Sequence, residues 1–170
     1  MSRPRGRHRG TSVGWVTDEN AAPSVPADLF AALCADPLAA ALGIEVEAIT
    51  PGYARATMTI GERLLNAAGT GHGGAVMALV DVVHAAVSNS HGTLAVAQDV
   101  HTEFLAPSRL GDRLVCEGHE LHRSQRTAVY RIDVVALGAA RDGSDRLVAT
   151  ALARVFRIGT PWSQAPSATS

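Results

Sequence analysis

Residues 73–90, "GGAVMALVDVVHAAVSNS", constrain the fold more than any other part of this chain. Wound as a helix, they set Val76, Met77, Leu79, Val80, Val82, Val83 and Val87 almost all the way round the axis. A helix of that kind must be buried on most sides. Its apolar run, residues 75–87, is broken by Asp81 and His84 and is shorter than the roughly 20 residues that cross a bilayer. The rest of the chain therefore has to cover it. Four strand-like segments follow: "LAVAQDVHTEFL", "RLVCEGHELHR", "TAVYRIDVVAL" and "RLVATALARVFRI". The connectors "APSRLGD", "SQ" and "GAARDGSD" are too short for crossover helices, so these strands are antiparallel. Upstream, "PADLFAALCADPLAAALGIE" predicts one or two short helices interrupted at Asp36-Pro37, and "IEVEAIT" and "YARATMTI" predict a hairpin turning at Pro51-Gly52. The economical arrangement is an α+β fold: one long central helix wrapped by an antiparallel sheet of about five or six strands.

At 170 residues the chain has room for one domain with a real core. We expect it to span residues 27–158, between a polar, arginine-bearing tail (1–26) and a second unstructured tail (159–170). The net charge of −1 gives no general attraction to nucleic acid or to an anionic membrane, and 4% aromatic residues are too few for a base-stacking platform. The basic start leads into no apolar segment, so it is not expected to be a secretory signal. Cys34 and Cys116 lack CxxC spacing and read as free thiols of a cytoplasmic protein.

The run "GTGHGG", residues 69–74, fits G-x-G-x-x-G at the mouth of a helix, the pattern of a dinucleotide-binding loop. The context excludes that reading. Such a domain alternates strands with crossover helices, whereas Asp99, the acidic candidate, sits inside a strand and no second βα unit follows. The glycines still leave unpaired N–H groups at the positive end of a helix dipole, open to an anion or to a carbonyl oxygen becoming one. At 100° per residue Gly74, Met77, Asp81, His84 and Ser88 share one stripe. A mid-helix carboxylate among valines needs a partner or a wet cleft. Backbone donors at Gly73 and Gly74, with Asp81 two turns further on, would suffice to hydrolyse an acyl group. Structural alternatives exist for each: Asp81 could cap a loop or pair with an arginine, and His84 could be a core histidine.

Together these residues resemble the hotdog-fold acyl-CoA thioesterases of the phenylacetic-acid-degradation type. The likeness lies in Asn66, in His72-Gly73-Gly74, in an Asp nine residues after the His (Asp81), and in Asn89-Ser90. It continues in "TEFLAPSRLGDRLVCEG" and "HRSQRTAVYRIDV", and covers about residues 40–158. The resemblance implies the helix-in-sheet architecture, with protomers pairing sheets edge to edge as a homodimer or a dimer-of-dimers tetramer. It implies Asp81 as nucleophile or general base, Gly73 N–H as oxyanion donor, Asn66 positioning water or the carboxylate, and His72 shaping the loop. It also implies an acyl-CoA substrate, CoA contacts from Arg123, Ser124 and Arg126, and no metal or separate cofactor. Gly74, Met77, Ser88 and Gln98 complete the expected substrate-binding set. Two positions depart from the pattern. Ala68 stands where many relatives have His, and Ala97 aligns with a hydroxyl that Gln98 or Ser88 would have to replace. Two other readings remain open at this point: a hotdog protein that binds acyl-CoA without turnover, and a hydratase using Asp81 with His84.

Overall fold

The computed structural model describes residues 24–164. Two short helices, α1 (Ala27–Cys34) and α2 (Pro37–Leu42), precede a hairpin of β1 (Glu45–Thr50) and β2 (Tyr53–Thr59). Then come the long helix α3 (Gly73–Asn89) and four strands: β3 (Thr93–Phe104), β4 (Arg113–Arg123), β5 (Thr127–Ala136) and β6 (Arg146–Pro161). The break between α1 and α2 falls where Asp36-Pro37 predicts it. Asp36 caps α2 by accepting from the Leu38 and Ala39 N–H groups at 2.8 and 3.0 Å, and Pro37 needs no N–H at the first helical position.

All six strands form one antiparallel sheet in the order β1-β2-β4-β5-β6-β3, with α3 lying across its inner face. Leu79, Val80, Val83 and Val87 are at most 1% exposed, which is what a helix apolar on several sides requires. Each such side chain taken out of water contributes roughly 1.5–3 kcal/mol. The closest approach of helix to sheet is at Gly118 of β4. A Cβ there would stand 2.8 Å from Val83 Cγ1 and 3.2 Å from Val87 Cγ1, so only glycine admits the helix this deeply.

Both ends of the domain depart from the expected limits. Val25 is already 5% exposed and its N–H reaches Ile49 O, so the chain joins the core before residue 27. At the other end β6 runs to Pro161, and Trp162 N–H donates to Gly92 O at 2.8 Å. The turn residues around Gly159 hid this extension in the sequence. The expectations for residues 1–23 and 165–170 lie outside the described residues.

α3 is not buried all round. The open stripe consists of Gly74, Asp81 and Ala85, flanked by half-buried Met77 and Ala78. His84 and Ser88, expected on the same stripe, are 1% and 4% exposed. His84 packs edge-on against Tyr130 of β5, with ring centroids 5.7 Å apart. Next to Ser88, Asn89 holds the chain's return into β3 by accepting from Ala95 N–H at 2.8 Å. The Ser88 hydroxyl turns back to Ala85 O.

Burial lowers the His84 pKa, opposed in part by the charge of Asp81. The unfolded chain therefore takes up a proton near the ordinary value of about 6.5, where the folded chain resists it. The stability linked to this group is present above that pH and is lost as pH falls through it. Urea midpoints of the wild type should drop from pH 7.5 to 5.5, and a His84→Gln variant should show a shallower drop. Parallel pH profiles would remove His84 from the linkage.

Candidate active site

The loop before α3 is organised by its own side chains. Asn66 Oδ1 accepts from the Ala68 and Thr70 N–H groups, while Asn66 Nδ2 donates to Thr70 Oγ1 at 2.8 Å. Both ends of this amide are thus committed within residues 66–70. Gly71 N–H donates to Ser108 O, and His72 N–H to Leu64 O, which pins the loop between two neighbours. A Cβ at Gly71 would overlap Ser108 Oγ and stand 3.2 Å from Ser108 Cβ, so a larger residue here would need the Ser108 hydroxyl to turn away.

His72 is the helix N-cap. Its Nδ1 accepts from Gly74 N–H at 2.8 Å, the role usually filled by a Ser, Asp or Asn oxygen. The Ala75 and Val76 N–H groups both turn to His72 O. Of the first amides of α3, Gly73 N–H alone makes no hydrogen bond among the described residues. One donor at the positive end of a 17-residue helix is left for a ligand, and no side chain at Gly73 shields it. The cap thus assigns the two glycines different jobs: Gly74 is used internally and Gly73 is free.

Asp81 is exposed on the open stripe. It lies eight residues from Gly73, a helical rise of about 12 Å. A carboxyl on that turn reaches back only about one turn, and the Gly73 N–H points out of the helix end. Attack needs about 3–3.5 Å. The two groups of one chain therefore cannot act on the same carbonyl, which corrects the expectation that Asp81 serves a carbonyl held at its own helix start.

Met77 lies half-buried on the open stripe between them, and Gly74 is exposed. Gln98 is exposed on β3 at a bulge, between the Ala97↔Val155 and Asp99↔Arg154 pairs. β3 is one of the two edge strands of the sheet, β1 being the other, and its far edge is unpaired among the described residues. Ser88 is not brought to this face, and neither is His84, the histidine the hydratase reading needs.

Arg123, Ser124 and Arg126 form the β4–β5 turn and are exposed. Arg123 Nε donates to Glu120 Oε1 at 3.3 Å, Glu120 Oε2 meets His91 Nε2 at 2.9 Å, and Arg157 Nη1 donates to Ser124 O. His91 follows the last turn of α3, so this basic turn sits at the opposite end of the helix from Gly73, roughly 25 Å away along a 17-residue helix. A single chain does not join them. The rise from Gly73 to Asp81 already follows from a continuous helix, whereas the position of the β4–β5 turn at its far end is set by tertiary contacts that motif spacing does not show. Among the described residues no cluster of three His, Cys, Asp or Glu is placed to hold a metal, and no helix is long and apolar enough to cross a membrane.

An antiparallel sheet wrapped on one long helix, with a glycine-rich entry and a carboxylate on the open helix face, defines the hotdog thioesterase class. The family model of the Thioesterase superfamily matches residues 68–141. The chain is 37% identical over 100 residues to the Acyl-coenzyme A thioesterase PaaI of Escherichia coli, a match covering 59% of this chain and 71% of that protein. It spans about two thirds of the length of such curated relatives. The solved structure of the E. coli PaaI protein from the phenylacetic acid degradation operon superposes with a TM-score of 0.70 at 32% identity, covering 78% of this chain and 91% of that one. A hypothetical thioesterase protein from Streptococcus pneumoniae solved with coenzyme A gives a TM-score of 0.62 at 26% identity, over 69% and 88% of the two chains. The chain belongs to the thioesterase superfamily.

Two substitutions separate the duties of the cap and the free donor. His72→Ala should lower folding stability by about 0.5–2 kcal/mol, the usual loss for an N-cap. Gly73→Pro should leave stability within about 1 kcal/mol, because proline is favoured at the first helical position and His72, at ψ 129°, already has the backbone that precedes proline. Chemical denaturation of both variants checks the contrast.

Proposed function

We propose that the chain hydrolyses acyl-CoA thioesters to the free acid and CoA, at a site shared by two copies of the chain. In this reading Gly73 N–H of one copy holds the thioester carbonyl, and the partner's Asp81 does the chemistry. The observation that carries it is the pairing of one free amide at a helix start with an exposed carboxylate too far along the same helix to use it. The free β3 edge supplies the means of association, since the open side of a twelve-residue edge strand is a template for a second copy. Antiparallel pairing about a two-fold axis also sets two α3 helices antiparallel. An axis passing beside Met77 would bring Gly73 level with the partner's Asp81, as the two positions lie symmetrically about 77. The same operation turns the far end of one copy toward the helix start of the other, so the partner's Arg123, Ser124 and Arg126 would meet the CoA phosphates.

The reaction needs little else. As general base, the carboxylate takes a proton from water while the hydroxide adds to the carbonyl carbon. The oxygen becomes an oxyanion against Gly73 N–H, the C–S bond breaks, and the CoA thiolate takes up a proton. As nucleophile, the carboxylate itself adds and expels the thiolate, leaving an anhydride that water cleaves. Thioesters are activated acyl donors, so a carboxylate and an oriented donor suffice, with no cofactor beyond the CoA of the substrate. Asn66 serves by folding the loop, since both ends of its amide are engaged there. Gln98, unpaired at its bulge, is available at the subunit boundary where Ala97 offers no hydroxyl. The exposed outer residues Val96, Leu152, Phe156 and Ile158 provide apolar surface for pairing dimers into a tetramer. The free thiols Cys34 and Cys116 accord with a cytoplasmic setting.

Thiol release from a panel of short-chain, aryl and long-chain CoA esters tests the reading. Asp81→Asn should lose about 10²-fold or more in kcat. Gly73→Pro, folded as above, should lose about 10²–10³-fold. Saturable binding of CoA esters with no thiol release from any of them would instead identify a non-catalytic acyl-CoA-binding protein.

A further inference from the structure

We infer that the cleft beside Gly73 seats the acyl group, and that Phe104 sets how long an acyl chain it takes; this rests on the thioesterase reading above. The cleft has a volume of about 300 Å³ and runs between the first turn of α3 and the segment that follows β3. Gly73 lies on its rim, and Val76, Phe104, Leu105, Pro107 and Val148 line it. A thioester carbonyl accepting from Gly73 N–H therefore has its acyl carbons at the mouth of this cleft. No lining side chain is charged, so the cleft suits an uncharged acyl group. Taking about 30 Å³ for a group the size of a water molecule, the space accommodates roughly ten such groups. That corresponds to a short or medium acyl chain or a single ring.

The walls differ in how firmly they are held. Val76 and Val148 are 2% and 1% exposed and fixed in the core. Phe104, the last residue of β3, is 53% exposed, and its ring edge stands 3.5 Å from where a Cβ on Gly73 would be. The ring thus lies over the residue that bears the free donor and closes one side of the cleft. Truncating it opens the cleft by most of a phenyl group without emptying the core, and enlarging it narrows the space.

The test compares kcat/KM for hexanoyl-CoA and dodecanoyl-CoA in the wild type, Phe104→Ala and Phe104→Trp. The wild type should favour hexanoyl-CoA by about tenfold or more, the scale on which an apolar pocket resolves size. Phe104→Ala should shrink that preference about tenfold, chiefly by gaining on dodecanoyl-CoA, and Phe104→Trp should widen it. Both variants should keep a thermal midpoint close to the wild type, as the buried walls Val76 and Val148 are left in place. A wild type equally active on both esters, or variants that change both esters in the same proportion, would overturn the assignment of Phe104 while leaving the thioesterase reading intact. A wild type that hydrolyses no CoA ester would instead bring down that reading, and this inference with it.

Discussion

The fixed rise of one α-helix governs this molecule's candidate site. Because α3 advances about 1.5 Å per residue, the eight residues from Gly73 to Asp81 hold the free amide and the exposed carboxylate about 12 Å apart. No side-chain rotation closes that gap. The sheet cannot close it either, since Gly118 lets Val83 and Val87 sink into β4 and locks the helix along its length. An architecture that buries the helix on most sides leaves a single stripe of Gly74, Asp81 and Ala85 facing outward. Whatever uses Asp81 must approach from outside the chain.

That constraint gives meaning to features that would otherwise look incidental. A twelve-residue edge strand with one side unpaired among the described residues is a liability in a monomer and an interface in a dimer. The histidine cap consumes Gly74 N–H and so singles out Gly73 as the donor. The basic β4–β5 turn has no partner site near its own helix start, and acquires one only if a second copy is set antiparallel beside the first. Under the proposed reading, each of these follows from placing two helices side by side about an axis near Met77.

Much of the fold was legible in the sequence. The short connectors after residue 93 permit only antiparallel strands, and the valine-rich helix demands a wrap, so helix, sheet and strand count follow from local rules. The Asp36-Pro37 break carries its own capping chemistry. Features set by tertiary contact were less visible. Val25 and Trp162 are tied in by single backbone hydrogen bonds to Ile49 and Gly92, which no periodicity announces. The 100° rule puts Ser88 on the Asp81 stripe, but helix angle alone says nothing of the neighbours that leave it 4% exposed. His84 falls to the inner side, where it packs edge-on against Tyr130. In the candidate site, the motif named Asn66, His72, Gly73 and Asp81 together. The folded loop separates their duties: Asn66 and His72 hold the loop and cap while Gly73 keeps a free donor, and the distance to Asp81 follows from eight residues of helix.

Subunit mixing addresses the shared site most directly. Gly73→Pro lacks the donor and Asp81→Asn lacks the carboxylate, so each homodimer should be nearly inactive. Unfolded together and refolded at equal concentrations, half of the dimers should be mixed, and each mixed dimer should hold one complete site formed by an intact Gly73 facing the partner's Asp81. The account predicts recovery of about a quarter of wild-type thioesterase activity. Mixed dimers with no more activity than either variant alone would contradict it, showing that both groups must come from the same chain or that neither is used.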